Sequence, residues 1–76
     1  MPNPLFKTTD FNTTAVLSAL GFKVQNIITF NERKTFIFKD TKELQDVLSR
    51  YWERKLLVDA QTLFQSIKNL KTRIYS

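Results

Sequence analysis

The sequence predicts an α+β fold: a short N-terminal strand, a helix, a β-hairpin, and then two amphipathic helices packed on one face of a small antiparallel sheet. Three observations lead to this prediction. Residues 22–39 alternate apolar and polar side chains with the period of two that is typical of strands. Residues 41–55 and 60–75 carry apolar side chains at helical spacing. The chain's one glycine, Gly21, stands where an earlier helix needs a stop.

The N-terminal part of the chain is expected to contain a few frayed residues and then a short strand. Prolines at positions 2 and 4 disfavour helix, so residues 1–4 are expected to be frayed. Residues 5–8 are expected to form the short strand, with Phe6 directed into the core. With 76 residues, the chain is long enough for one compact domain, residues 1–76, and for a core of modest size.

The first helix is predicted over residues 11–20. Asp10 is expected to cap it, because its carboxylate can accept hydrogen bonds from the free backbone N–H groups of the first turn. Its apolar stripe is expected to include Ala15 and Ala19. Gly21 follows at the position that favours a left-handed residue, and Phe22 is expected to close onto the end of the helix.

The hairpin is predicted to supply the centre of the core. Strict alternation directs five apolar residues inward: Val24, Ile28, Phe30, Phe36 and Phe38. Pairing Phe30 with Phe36 leaves residues 32–34 as a three-residue loop. Such a loop normally needs glycine, so a five-residue loop or a bulge is the alternative. Ile27 and Ile37 then fall on the opposite face of the sheet, which suggests that a partner or a second copy covers them.

Two further helices complete the fold. Asp40 and Glu43 have the spacing of a capping box, which predicts a helix over residues 41–55. Asp59 is expected to cap a third helix over residues 60–75.

The composition argues against most enzyme classes. The chain has no His and no Cys, so it lacks the commonest general base and the thiol nucleophile. A single glycine excludes a glycine-rich phosphate-binding loop. The acidic residues fit helix caps and polar helix faces better than a catalytic pair. We therefore expect a non-catalytic protein with no catalytic residue, no cofactor and no metal site.

A net charge of +5 can attract nucleic acid or anionic lipid, and it also lies within the range that serves solubility alone. Six basic residues are the candidate binding residues: Arg50, Arg54, Lys55, Lys68, Lys71 and Arg73. On one surface they would contact the phosphates of DNA or RNA weakly and electrostatically. The competing interpretation is that these charges only keep a small domain soluble and complement a helix C-terminus.

A protein interface is the alternative function. Trp52 directly follows Tyr51, and two successive aromatic residues on one helix cannot both point squarely into the core. Trp52 is therefore a candidate interface residue, together with Ile27 and Ile37. This interpretation predicts a protein–protein interaction module, an inhibitor of a host protein, or self-association.

The whole chain resembles an uncharacterised small domain family, one of the domains of unknown function of bacteria, archaea and their phages. The resemblance rests on four stretches: LFKTTDF (5–11), LSALGF (17–22), TFIFKD (35–40) and VDAQTLFQSIKNLKTRIYS (58–76). It implies a compact cytoplasmic domain encoded by a phage or another mobile element, and it carries over no functional residue. The absence of Cys and of a long apolar run fits a cytoplasmic protein that does not enter the membrane.

Overall fold

The computed structural model describes residues 4–75, and its elements follow the predicted order. These elements are β1 (Leu5–Thr8), α1 (Phe11–Ala19), β2 (Val24–Phe30), β3 (Arg33–Lys39), α2 (Lys42–Trp52) and α3 (Ala60–Tyr75). The strands form one antiparallel sheet in the order β1–β3–β2. The predicted α+β fold is therefore confirmed.

Part of the predicted fraying lies outside the described residues, namely residues 1–3. Pro4, the fourth of the residues expected to be frayed, does belong to the described part of the chain. Its carbonyl accepts a hydrogen bond of 3.0 Å from the backbone N–H of Asp40, which extends the pairing of β1 with β3 by one step. Pro4 is therefore tied to the sheet.

The core lies between the sheet and the helices, around the central strand β3. Phe38 is fully buried, and it is paired with Phe6 on β1 and with Val24 on β2. The ring centroids of Phe6 and Phe38 are 6.4 Å apart. The helices complete this cluster with Ala15, Leu17, Leu44, Leu48 and Leu70. Full burial of each large apolar side chain contributes about 1.5–3 kcal/mol.

The turn between β2 and β3 is shorter than predicted. Phe30 pairs directly with Arg33 instead of Phe36, so Asn31 and Glu32 form a two-residue connection. Both have positive φ, 50° for Asn31 and 65° for Glu32. This is the pattern of a type I′ turn, whose twist matches that of antiparallel strands. The predicted three-residue loop is wrong because Asn and Glu take the left-handed conformations that were expected to require glycine.

A β-bulge at Gln25 interrupts the alternation of β2. Val24 pairs with Phe38, and Asn26 pairs with Ile37, so two steps along β2 match one step along β3. The extra residue in a bulge moves every later side chain of that strand to the other face of the sheet.

The bulge corrects the predicted faces of the hairpin. Ile28 and Phe30, predicted to be in the core, are exposed on the far side of the sheet from the helices. Ile27, predicted for that far side, instead pairs with Phe36 and packs against the core. Ile37 lies on the far side and is nevertheless buried.

The end of α1 has the predicted geometry. Gly21 has a φ of 96°. The N–H of Phe22 donates to the carbonyl of Leu17 at 3.0 Å, and the N–H of Gly21 donates to the carbonyl of Ser18 at 3.0 Å. These two hydrogen bonds form a Schellman motif, which satisfies carbonyls that the helix leaves free.

Aspartates cap α1 and α3 as predicted. An Asp10 carboxylate oxygen accepts from the backbone N–H of Asn12 at 3.2 Å. One Asp59 carboxylate oxygen accepts from both the backbone N–H and the hydroxyl of Thr62, at 2.9 and 2.8 Å. These two hydrogen bonds, the backbone one foremost, hold the pKa of the Asp59 carboxyl below its ordinary value of 3.8 because they favour its charged form.

The cap of α2 differs from the prediction by one residue. Thr41, in extended conformation, accepts from the backbone N–H of Leu44 at 3.1 Å through its hydroxyl. The predicted cap, Asp40, accepts from the Gln45 side-chain amide at 2.9 Å instead. Thr and Asp are both good capping residues, so their order in the sequence does not decide which of them begins the helix.

Two polar residues occupy the buried face of α1. Thr14 is fully buried and Thr13 nearly so. The hydroxyl of Thr13 donates to the Asp10 carboxylate at 2.6 Å, and that of Thr14 donates to the Asp10 carbonyl at 2.9 Å. Satisfied hydroxyls can be buried at little cost. These residues therefore take part in the inward face, whereas the predicted stripe residue Ala19 is only half-buried.

Gly21→Ala should lower the free energy of unfolding by about 1 kcal/mol, because φ near 96° is unfavourable for any residue with a Cβ. A Cβ at this position meets no atom within 4 Å, so the cost lies in the backbone alone. Urea denaturation measures it. Gly21→Asn is the control and should lose less, since Asn tolerates this conformation better. An unchanged urea midpoint for Gly21→Ala would contradict the assignment.

Glu32→Gly should raise the free energy of unfolding by up to about 1 kcal/mol, because glycine at the second turn position removes the cost of a left-handed Glu. Thermal unfolding of the variant beside wild type measures the change. Glu32→Ala removes the same charge but keeps a Cβ, and it should not stabilise. A lower melting temperature for Glu32→Gly would argue against the two-residue turn.

Candidate functional site

One side of the sheet faces away from the helices, and we call it the outer face. Directly paired residues point to the same side, so the strand register defines this face. Nine residues form it: Leu5, Lys7, Asn26, Ile28, Phe30, Arg33, Thr35, Ile37 and Lys39. The shortest dimension of the domain, 18 Å, fits one sheet with one helix layer and leaves this side of the sheet open.

Apolar side chains are exposed on the outer face. Phe30 is 73% exposed, Leu5 is 54% exposed and Ile28 is 46% exposed. Ile37 lies at the centre between its register partners Lys7 and Asn26, and it is only 5% exposed. It is buried although it does not belong to the core cluster on the helix side of the sheet. The outer face thus has a buried Ile37 at its centre and the exposed ring of Phe30 at one end.

Three exposed cations and no carboxylate complete the outer face. Each cation is paired in register with an apolar residue: Lys7 with Ile37, Arg33 with Phe30, and Lys39 with Leu5. Directly paired side chains have Cβ atoms about 4.5–5.5 Å apart. Positive charge therefore stands beside apolar surface at each of these positions.

The predicted basic residues around the end of α2 are exposed. Arg50 lies in the last turn of the helix, and Arg54 and Lys55 follow it. The Lys55 ammonium is 3.7 Å from a carboxylate oxygen of Glu53, with both side chains largely in solvent. An ion pair this exposed contributes little to stability and does not hold Lys55 away from an anionic ligand.

The predicted basic residues of α3 do not all lie on one side. At about 100° per residue, Lys68 and Lys71 are about 60° apart around the helix axis, whereas Lys71 and Arg73 are about 160° apart. Arg73 lines a shallow cleft that also contains Lys23 and Ser66. The structure therefore brings Lys68 and Lys71 to one flank of α3 and places Arg73 on the other.

Trp52 is the last residue of α2 and is 64% exposed. Tyr51 beside it is half-buried and lines a cleft with Val16 and Leu56. Of the two successive aromatic residues, Trp52 is thus the one available to a partner.

Arg54 has a strained backbone. The N–H of Lys55 donates to the carbonyl of Arg50 at 2.9 Å, and the N–H of Arg54 donates to the carbonyl of Tyr51 at 3.1 Å. This repeats the motif that ends α1, but with Arg at a φ of 60° where α1 has glycine. A non-glycine residue pays about 1–2 kcal/mol there. Such strain at an exposed residue supports a role for the Arg54 side chain.

Sequence reasoning missed the cations of the outer face. Lys7 and Lys39 flank apolar residues of β1 and β3 in the sequence, and counting positions along each strand assigns both to one face. The misplaced register of β2 concealed Arg33 beside Phe30, because it put Phe30 in the core.

Two structural findings concern other kinds of site. Within residues 4–75, no three or more His, Cys, Asp or Glu side chains come close enough together to hold a metal ion. No helix in this part of the chain has the length and apolar character needed to cross a membrane.

The chain belongs to DUF5659, a family described as a domain of unknown function, which matches residues 3–76. The expected resemblance to an uncharacterised small domain family is therefore confirmed. Searches of the curated proteins and of the solved structures find no significant match to this chain.

Arg54→Gly should raise the free energy of unfolding by about 1 kcal/mol, because glycine takes a φ of 60° without strain. Urea denaturation measures the gain. Arg50→Gly is the control: it removes the same charge within the helix and should destabilise, since glycine is unfavourable there. A loss of stability in Arg54→Gly would contradict the assigned strain.

Proposed function

We propose that this protein is a small non-catalytic accessory protein that acts by binding, and that its target is nucleic acid or a nucleoprotein. The observation that carries the proposal is the placement of the cations. Of the 12 Lys and Arg residues, all but the half-buried Lys34 are exposed. The outer face has three of them and no carboxylate. A surface of this kind is attractive to phosphates.

The helices carry further exposed cations in addition to those of the outer face. Arg50, Arg54 and Lys55 lie at the end of α2, while Lys68 and Lys71 share a flank of α3. Exposed cations contact phosphates and release condensed counterions, which makes binding salt-dependent and largely independent of sequence. We therefore propose weak electrostatic binding of DNA or RNA.

We further propose that the protein acts in the cytoplasm, where nucleic acid is accessible. Its gene would come from a phage or another mobile element, as the family resemblance implies. We propose no catalytic step, because the chain offers neither His nor Cys for one.

A second candidate function is a protein–protein interaction module, such as an inhibitor of a host protein. The observation that favours it is β2, which has the sequence VQNIITF and lies at an edge of the sheet without a single charged residue. An edge strand without charged side chains lacks one of the features that discourage pairing with another chain. The exposed Trp52 adds an aromatic anchor for such a partner.

Binding of labelled DNA, measured by fluorescence anisotropy at about 50 mM salt, should give a saturating curve whose affinity falls as salt rises. Four phosphate contacts give a slope of log affinity against log salt of roughly −3.6 on duplex DNA. The double variant Arg54→Glu/Lys71→Glu should bind more weakly and remain folded, since both side chains are exposed.

The matched control is Asp46→Asn/Glu43→Gln, which removes two negative charges from α2 and should not weaken binding. A flat curve for wild type with both single-stranded and duplex DNA would contradict the proposal and favour the protein-interaction module.

A further inference from the structure

We propose that the outer face binds single-stranded nucleic acid, with the ring of Phe30 stacking on an unpaired base and the neighbouring cations contacting phosphates. This inference rests on the proposed function and deepens it by naming the surface and the class of strand. It moves the principal contact from the predicted helix residues to the sheet.

Phe30 has the placement that base stacking requires. It ends β2, it is 73% exposed, and its register partner is Arg33. A base that stacks on an exposed aromatic side chain gains about 1–3 kcal/mol. The guanidinium of Arg33 adds a planar cation at the same level of the sheet, which can stack on a base or contact a phosphate.

The pattern of the outer face matches a single strand better than a duplex. Each of its cations stands beside an apolar residue, so phosphates and bases of one strand both find a complementary neighbour. A duplex keeps its bases stacked inside and presents phosphates alone to a flat surface. β3 has seven residues and is about 23 Å long, and open sheets in RNA-binding domains stack two or three bases on a surface of this kind.

The charges argue against a second copy as the occupant of the outer face. In a face-to-face pair related by a two-fold axis, the same patch meets itself. Lys7, Arg33 and Lys39 would then face a patch that carries the same three cations, and none of the nine outer-face residues is a carboxylate that could compensate. A polyanion fits this charge pattern, whereas another copy of this chain does not.

The test is fluorescence anisotropy with a labelled oligothymidylate of about ten nucleotides, within the range of small single-strand binding domains, and a duplex of the same length. Wild type should bind the single strand more tightly than the duplex. Phe30→Ala should raise the dissociation constant for the single strand about 5- to 150-fold, which corresponds to the loss of one stacked base. Phe30→Tyr keeps an aromatic ring and should bind nearly as wild type does.

Phe64→Ala is the matched control, because Phe64 is 66% exposed on α3 and the substitution removes the same ring. It should leave the affinity unchanged. Single-strand binding that Phe30→Ala does not weaken, or tighter binding of the duplex, would overturn this inference and leave the proposed function intact. Failure of wild type to bind either probe would overturn both.

Sedimentation measures the oligomeric state of the protein and provides an independent test. A monomer without nucleic acid, for wild type and Phe30→Ala alike, supports an outer face that is open to a ligand. A wild-type dimer that Phe30→Ala dissociates would assign the outer face to a second copy and overturn the inference.

Discussion

The β-bulge at Gln25 is the constraint on which both faces of the sheet depend. Because one extra residue enters β2, Val24 and Ile27 reach the core although an odd number of steps separates them. The same shift sends Ile28 and Phe30 outward. Without the bulge, the apolar residues of β2 would change sides, and the outer face would lose the ring that gives it an aromatic character. One backbone irregularity thus sets the packing of the core and the chemistry of the open side.

The exposure of Phe30 has an energetic meaning. Burial of a Phe side chain contributes about 1.5–3 kcal/mol, which is a large fraction of the stability of a small domain. Because Phe30 is mostly exposed, the fold does not gain this contribution. The backbone of Arg54 is also less stable than it could be, because glycine would adopt a φ of 60° without strain. At both positions the fold is less stable than an alternative arrangement would make it, and a side chain is presented to solvent. The proposed binding surface would account for this pattern, because residues that serve a ligand are selected for contacts outside the fold.

The sequence was sufficient to predict most features that depend on local chemistry, although the cap of α2 is Thr41 and not the predicted Asp40. Asp10, Gly21 and Asp59 each act within a few residues along the chain, and all three mark helix ends as predicted. Features that depend on pairing between strands were missed. Gln25 has no side-chain property that announces a bulge, and the left-handed Glu32 is disfavoured by intrinsic preference. The cations at the end of α2 and on α3 were identified because they cluster along the sequence. Of the outer-face cations, Lys7 and Lys39 follow from alternation along their strands, whereas the position of Arg33 beside Phe30 depends on the register of β2.

The most direct test of the outer face as the binding surface is an NMR titration of the isotope-labelled protein with the single-stranded oligothymidylate. Amide and side-chain resonances of Lys7, Phe30 and Arg33 should shift together along one binding curve, and by more than the resonances of the α3 flank that carries Lys68 and Lys71. Shifts confined to the helix residues Arg50, Lys68 and Lys71 would contradict the account, because they would place the nucleic acid on the helices and not on the outer face.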